Sequence, residues 1–259
     1  MKTDQHKFYS GDRHFLGDTR DARLDSIIEF LHRNLVTIPQ SSSMQVLDVG
    51  CANGMVLRTL PATWRRVGMD VTETLLQLAG AEGIETHICD FDNQAFPFPG
   101  ETFDLVIAND VIEHVLHTDT VLNEISRVLK PSGRLFTSIP NINQPISFFM
   151  QFVLDLTPMF AARYRCTHYR DFTHRLFKQI LRAHGFRLKQ CAGTFIYPWE
   201  RSWLSRTIAH RVPRWATQIM YWVEKDRSVV VDEGFAANMP ELLRWFDDAT
   251  RFTPKPPYE

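Results

Sequence analysis

The sequence predicts an α/β fold: a mostly parallel, seven-stranded sheet with helices on both faces. Two observations carry this expectation. Apolar runs of strand length alternate with stretches of helical periodicity from about residue 19 to residue 140, the pattern that builds parallel sheets covered on both sides. The first of these runs, Val46-Leu47-Asp48-Val49, passes into a loop of small residues, Gly50-Cys51-Ala52-Asn53-Gly54, and then into Met55-Val56-Leu57 as the opening of a helix. A strand, a tight turn and a helix start in that order form the ligand-binding corner of open α/β sheets.

Taken in order, residues 19–35 carry Leu24, Ile27, Ile28, Leu31 and Leu35 at helical spacing and predict a helix packed on the sheet beside the ligand site. Strand one starts near Met44. Arg66-Val67-Gly68-Met69-Asp70 reads as strand two, Glu85 to Phe91 as strand three with Asp90 near its end, and Phe103 to Asp110 as strand four. Val111-Ile112-Glu113-His114-Val115 should open the next helix, with Glu113 facing its dipole. A helix from about Asp119 to Leu129 leads through a Pro131/Gly133 turn into strand five. Past Asn141 the character changes. The run Ile146 to Leu154 is crowded with large apolar groups and predicts an insertion. A helix from His174 to His184 stops at Gly185, a residue suited to the left-handed C-cap. Phe186 to Phe195 reads as strand six, and Ser228-Val229-Val230-Val231 as a seventh strand, antiparallel at the sheet edge.

A chain of 259 residues fits one domain, parsed as an N-terminal helical region (1–43), a binding core (44–140), a cap insertion (141–185) and a C-terminal part (186–259). No apolar run approaches the ~20 residues that span a bilayer, and residues 1–13 are too polar for a signal peptide. Cys51, Cys89, Cys166 and Cys191 are scattered, which predicts reduced thiols in a cytoplasmic setting. Cys166-Thr167-His168 has no partner pair at zinc spacing, so no metal is expected. The net charge is −1, yet residues 161–225 hold 13 Lys/Arg against 3 Asp/Glu. Such a block suggests an anionic partner.

The loop excludes two cofactor classes. A dinucleotide fingerprint needs glycines where Ala52 and Met55 stand, and a phosphate-binding loop needs Gly-Lys-Ser or Gly-Lys-Thr. Val46 to Gly54 instead resembles the first motif of class I S-adenosylmethionine-dependent methyltransferases, which have a Rossmann-like sheet; Ala52 stands where the family usually has Gly. Asp70, Asp90-Phe91, Asn109-Asp110 and Leu129 to Phe136 continue the resemblance in order across residues 44–140. The resemblance implies S-adenosyl-L-methionine as cofactor, contacted by Asp48, Gly50, Cys51, Ala52, Gly54, Asp70, Asp90, Phe91 and Asn109. Asp70 is placed by its spacing to accept hydrogen bonds from both ribose hydroxyls. In the family the acid at Asp90 bonds the adenine amine and the residue at Phe91 covers the ring.

Methyl transfer to oxygen benefits from a base near neutral pKa. His114, after strand four, and His168, in the insertion, are the two candidates. Tyr169 and Arg170, in the block His168-Tyr169-Arg170-Asp171-Phe172-Thr173, are candidate acceptor-binding residues; the block resembles methyltransferases of glycan and lipid-linked saccharide pathways. The expected reaction is O-methylation of an anionic small molecule, saccharide or lipid-linked acceptor. The aromatic-cationic segment Trp199, Trp203, Arg206, Arg211, Arg214, Trp215, Tyr221 and Trp222 reads as interfacial and suggests peripheral contact with an anionic membrane. Two alternatives stand beside this reading: methylation of quinones or other aromatic metabolites, and a non-catalytic cofactor-binding module. Nucleic acid is not an expected partner, because Asn109-Asp110-Val111-Ile112 occupies the place of an Asn-Pro-Pro-Tyr or Asp-Pro-Pro-Tyr motif. Tyr221-Trp222-Val223-Glu224-Lys225 matches the Tyr-x-x-x-Lys of short-chain dehydrogenases by coincidence, since their glycine loop is absent. The sequence sets no oligomeric state.

Overall fold

A computed structural model describes residues 22–38, 43–155 and 168–226. Its seven strands are β1 (Gln45–Val49), β2 (Arg65–Asp70), β3 (Glu85–Ile88), β4 (Phe103–Asn109), β5 (Leu129–Pro140), β6 (Phe186–Gly193) and β7 (Gln218–Lys225). Their order across the sheet is β3-β2-β1-β4-β5-β7-β6. β1 to β5 pair in parallel, and β7 runs antiparallel between β5 and β6. The predicted seven-stranded sheet is present. The seventh strand, however, is Gln218–Lys225, inserted between β5 and β6. Ser228 to Val231 lies outside the described residues, as do the Cys166-Thr167 pair and residues 161–167 of the cationic block.

Among the described residues six α-helices flank the sheet: α1 (Ala22–Leu35), α2 (Glu73–Ala81), α3 (Thr118–Val128), α4 (Pro145–Val153), α5 (His174–Ala183) and α6 (Trp203–Arg211). Successive strand residues point to opposite faces, so neighbours in sequence enter different cores. Val46, Leu105, Ile107 and Trp222 pack with Ile27, Phe30 and Leu31 of α1. Leu47, Val106 and Tyr221 pack with Val121, Leu122 and Ile125 of α3 and with Phe177 and Leu181 of α5. Tyr221 and Trp222, which the sequence grouped with an interfacial aromatic segment, are at most 1% exposed. They are core residues because β7 is an interior strand.

Two predicted helix starts are shorter than expected. After β1 the chain makes turns and a single 3-10 turn, Leu57–Thr59, ended by extended Leu60. Pro61 forces this, since the residue before a proline is steered away from helical backbone. After β4 only Ile112–His114 is 3-10 helical. The amides of Leu116 and His117 donate to Asp92 Oδ1 at 2.8 and 3.0 Å, which draws the chain away from a continuous helix before α3.

Candidate active site at the carboxyl edge of the sheet

The carboxyl ends of β1, β2 and β4 converge where open α/β sheets bind ligands. Gly50 and Cys51 donate backbone hydrogen bonds to the Met69 carbonyl at 2.7 and 3.0 Å, lashing the β1 loop to β2. Gly50, Ala52 and Gly54 all have positive φ, at 73°, 47° and 76°. A Cβ on Gly50 would meet Val111 Cγ2 at 2.5 Å, so glycine serves both the turn and the approach of the β4 loop. Ala52 adopts a left-handed conformation that costs a non-glycine residue ~1 kcal/mol, which explains why glycine is usual there.

Asp70 links loop and strand. Its Oδ2 accepts from the Ala52 amide at 2.9 Å and its Oδ1 from the Thr72 amide at 2.9 Å. Each carboxylate oxygen keeps a lone pair, so the position remains able to accept from a diol. Burial pushes the Asp70 carboxyl above its usual range. Asp48 is 4% exposed and is raised well above its usual range, first by burial and then by the Asp70 charge. Two buried carboxyls in this state favour a cationic ligand. Cys51 contributes its backbone rather than its thiol. The thiol is buried and held protonated by burial and the charges of Asp48 and Asp70, in space that a Cβ on Gly68 would fill at 2.5 Å from Sγ.

Asn109 ends β4 with both side-chain polar atoms buried and without a hydrogen-bond partner. Orphaned groups of this kind cost free energy and are what a ligand satisfies. This, with the strained glycine loop and the acid pair, fits an adenosyl sulfonium. Asp90 and Phe91 are placed differently. Asp90 lies past the end of β3 and caps its own turn, accepting from the Asp92 amide at 3.1 Å and from Asn93 Nδ2 at 2.8 Å. Phe91 is 8% exposed and lies edge-on to Phe96 at 6.1 Å between centroids, inside the core.

A second group of residues gathers beyond β4. Glu113 lies in the 3-10 turn and is 1% exposed, and neither of its oxygens has a hydrogen-bond partner. The sequence assigned it to a helix dipole; no α-helix starts there, and the carboxyl is buried. Burial first, and the Asp110 charge second, raise it well above the usual range. The amides of Tyr169 and Arg170 donate to the Glu113 carbonyl at 2.9 and 3.4 Å, which brings the insertion against the β4 turn. His114 and His168 therefore meet, ring centroids 4.5 Å apart and nearly perpendicular. Burial lowers the His168 pKa, opposed by Asp110, which favours the neutral imidazole. Tyr169 is exposed, and Arg170 Nη2 donates to the Leu116 carbonyl at 3.1 Å. Asp110, with φ of 53°, accepts from Arg23 at 2.7 Å and from Ser138 Oγ at 3.1 Å and pairs with Gln218. It ties α1, β5 and β7 to the site. A separate cavity of about 380 Å³ lies between α1 and α6 and is lined by none of the predicted site residues.

Sheet order, glycine loop and strand-end acids together define a class I S-adenosylmethionine-dependent methyltransferase. The sequence matches the methyltransferase domain family over residues 47–137. It is 30% identical over 170 residues to a ubiquinone biosynthesis O-methyltransferase of Xylella fastidiosa, covering 61% of this chain and 67% of that protein. With the human mitochondrial ubiquinone biosynthesis O-methyltransferase it shares 26% over 197 residues, 69% of this chain and 53% of that protein. A Thermotoga maritima methyltransferase, described as a possible histamine N-methyltransferase, superimposes with a TM-score of 0.57 at 14% identity, covering 78% and 88% of the two chains; this likeness concerns the fold. The chain belongs to the class I S-adenosylmethionine-dependent methyltransferase family, is an enzyme, and uses S-adenosylmethionine as its cofactor.

Proposed function

We propose that the enzyme methylates a hydroxyl group on a lipid-tailed aromatic acceptor of the quinone class. The observation that carries the choice of oxygen is the convergence of Glu113, His114 and His168 at the carboxyl edge of β4, next to Asn109. When bound, S-adenosylmethionine supplies an electrophilic methyl group. Gly50, Asp70 and Asn109 would hold the cofactor, and the chain must then deliver an oxygen nucleophile in a water-poor space. The neutral imidazole of His168 has a lone pair that can take the hydroxyl proton, with His114 packed against it and Asp110 favouring the imidazolium that results.

The names of the relatives support the aromatic acceptor. The surface supports a lipid tail. Phe148, Phe149, Phe152 and Val153 of α4 are 48% to 74% exposed, and Trp199 and Trp203, beyond the carboxyl end of β6, are 63% and 72% exposed. Both segments leave the same edge of the sheet as the site, as a membrane-facing acceptor entrance would. A second reading, an anionic saccharide acceptor, is favoured by Arg170 beside the cluster. Methyl-labelled cofactor offered with a prenylated catechol, its untailed analogue and a phosphorylated lipid-linked saccharide separates them. A labelled methyl ether should form on the tailed catechol; label on the saccharide alone would replace the quinone-class acceptor with the anionic saccharide.

A further inference from the structure

We propose that the cavity between α1 and α6 binds a phosphate monoester with an apolar body, at a site apart from the methyl-transfer centre. Its volume of about 380 Å³ suits a small organic ligand. Three arginines, Arg33, Arg206 and Arg211, line it against a single carboxylate, Glu29. The excess of positive charge complements a phosphate dianion, and a guanidinium presents a planar fork of donors that matches phosphate oxygens. The rest of the wall is apolar. Phe30 and Met220 are buried against the sheet, and Trp203 stands 72% exposed toward solvent. An aromatic ring or short acyl chain carried by the phosphate would lie against these side chains.

The charges converge because two helices hold them there. Glu29 accepts from Arg33 through one oxygen at 2.6 Å and from Arg206 through the other at 3.0 Å, so one carboxylate gathers a guanidinium from each helix. Arg33 Nη1 also donates to His210 Nε2 at 3.2 Å. Arginine has no acceptor atom, so Nε2 carries no proton and this imidazole is neutral. Burial first, and the Arg33 charge second, lower the His210 pKa. Arg211, at the end of α6, pairs with no carboxylate among the described residues. The scaffold is tight. Ala209 is fully buried, and a Cβ on Gly193 would meet its carbonyl at 2.8 Å. This close seat of α6 on β6 sets the height of Arg206 and His210 over the sheet. The cationic block of the sequence, with its expected anionic partner, thus contributes Arg206 and Arg211, and α1 adds Arg33 from far away in the chain. None of the cofactor or acceptor residues lines this cavity.

Binding can be tested on the full-length protein without any methyl acceptor, so the result is independent of the quinone-class reading. Phenyl phosphate is titrated by calorimetry at low salt, with inorganic phosphate, benzoate and phenol as comparisons. One equivalent of phenyl phosphate should bind, at least ~5-fold more tightly than inorganic phosphate or benzoate, and phenol should give no detectable heat. Added salt should weaken the binding. Arg211→Gln and Trp203→Ala should each weaken it at least ~5-fold while binding S-adenosylhomocysteine as the parent does. Arg182→Gln, at an exposed arginine of α5, should leave it within about twofold. Phenyl phosphate should also raise the melting temperature of the parent, and saturating S-adenosylhomocysteine should not displace it. Absence of phenyl phosphate uptake by the parent, equal uptake by Arg211→Gln and Trp203→Ala, equal affinity for benzoate, or displacement by S-adenosylhomocysteine would each overturn the site.

Discussion

The two halves of the site are built by opposite means. The cofactor half, from β1 to the end of β4, relies on short-range constraint. A loop with three positive-φ residues is held by Met69, and Asp70 reaches back to Ala52 across the gap between neighbouring strands. The acceptor half joins the turn after β4 to a segment beyond β5 through two amides on one carbonyl. It places large apolar groups on the surface and orphaned polar groups inside. Buried polar atoms without partners occur in both halves, at Thr72 and Asn109 in the first and at Glu113 and His168 in the second, but only the first is closed by hydrogen bonds between adjacent strands and their loop. Binding of cofactor and use of acceptor should therefore respond to different substitutions.

The largest separation should come from Asp70→Ala. It removes a charged acceptor for the cofactor diol and frees the Ala52 and Thr72 amides. Affinity for S-adenosylhomocysteine should fall by ~3 kcal/mol, more than a hundredfold, by calorimetry. An unchanged affinity would erase the distinction between the halves. Gly50→Ala should come next. The new Cβ meets Val111 at 2.5 Å in a backbone with φ of 73°, costing ~2 kcal/mol of stability in denaturant unfolding.

A smaller effect should mark the acceptor half in acid. His174 opens α5, is 2.9 Å from the Tyr221 hydroxyl, and has its pKa lowered to about 4 by burial and then by Lys178. An unfolded histidine titrates near 6.5, so the unfolded chain takes the proton first. The stabilising contribution is complete above pH 6.5 and is lost as pH falls toward 4. Between pH 7 and pH 5 the parent should lose ~1–2 kcal/mol that His174→Gln does not lose; parallel profiles would show that the histidine is not part of this joint. Smallest of all, Arg170→Ala should leave cofactor affinity within about twofold while reducing acceptor use.

The same contrast explains what could be read from the chain. The positions of the glycine loop, Asp70 and Asn109 at the carboxyl ends of β1, β2 and β4 were legible because their constraints act between adjacent strands. The parallel order of β1 to β5 was legible for the same reason. The place of β7 was not, since Tyr221 and Trp222 look interfacial until a strand on each side buries them. Glu113 was misassigned because its burial depends on the insertion folding over it, and nothing near it in sequence signals that contact. Asp90 and Phe91 were placed by their spacing at the end of β3; the contacts each makes there, Asp90 within its own turn and Phe91 edge-on to Phe96, were not legible in the sequence.

On this reading the buried cluster beyond β4 governs turnover without governing cofactor binding. The most direct test compares His168→Gln with the parent protein in a single-turnover assay of labelled methyl transfer to the tailed catechol, at saturating cofactor. The rate should fall at least ~100-fold with affinity for S-adenosylhomocysteine unchanged within about twofold. A variant that methylates at the parental rate would contradict it.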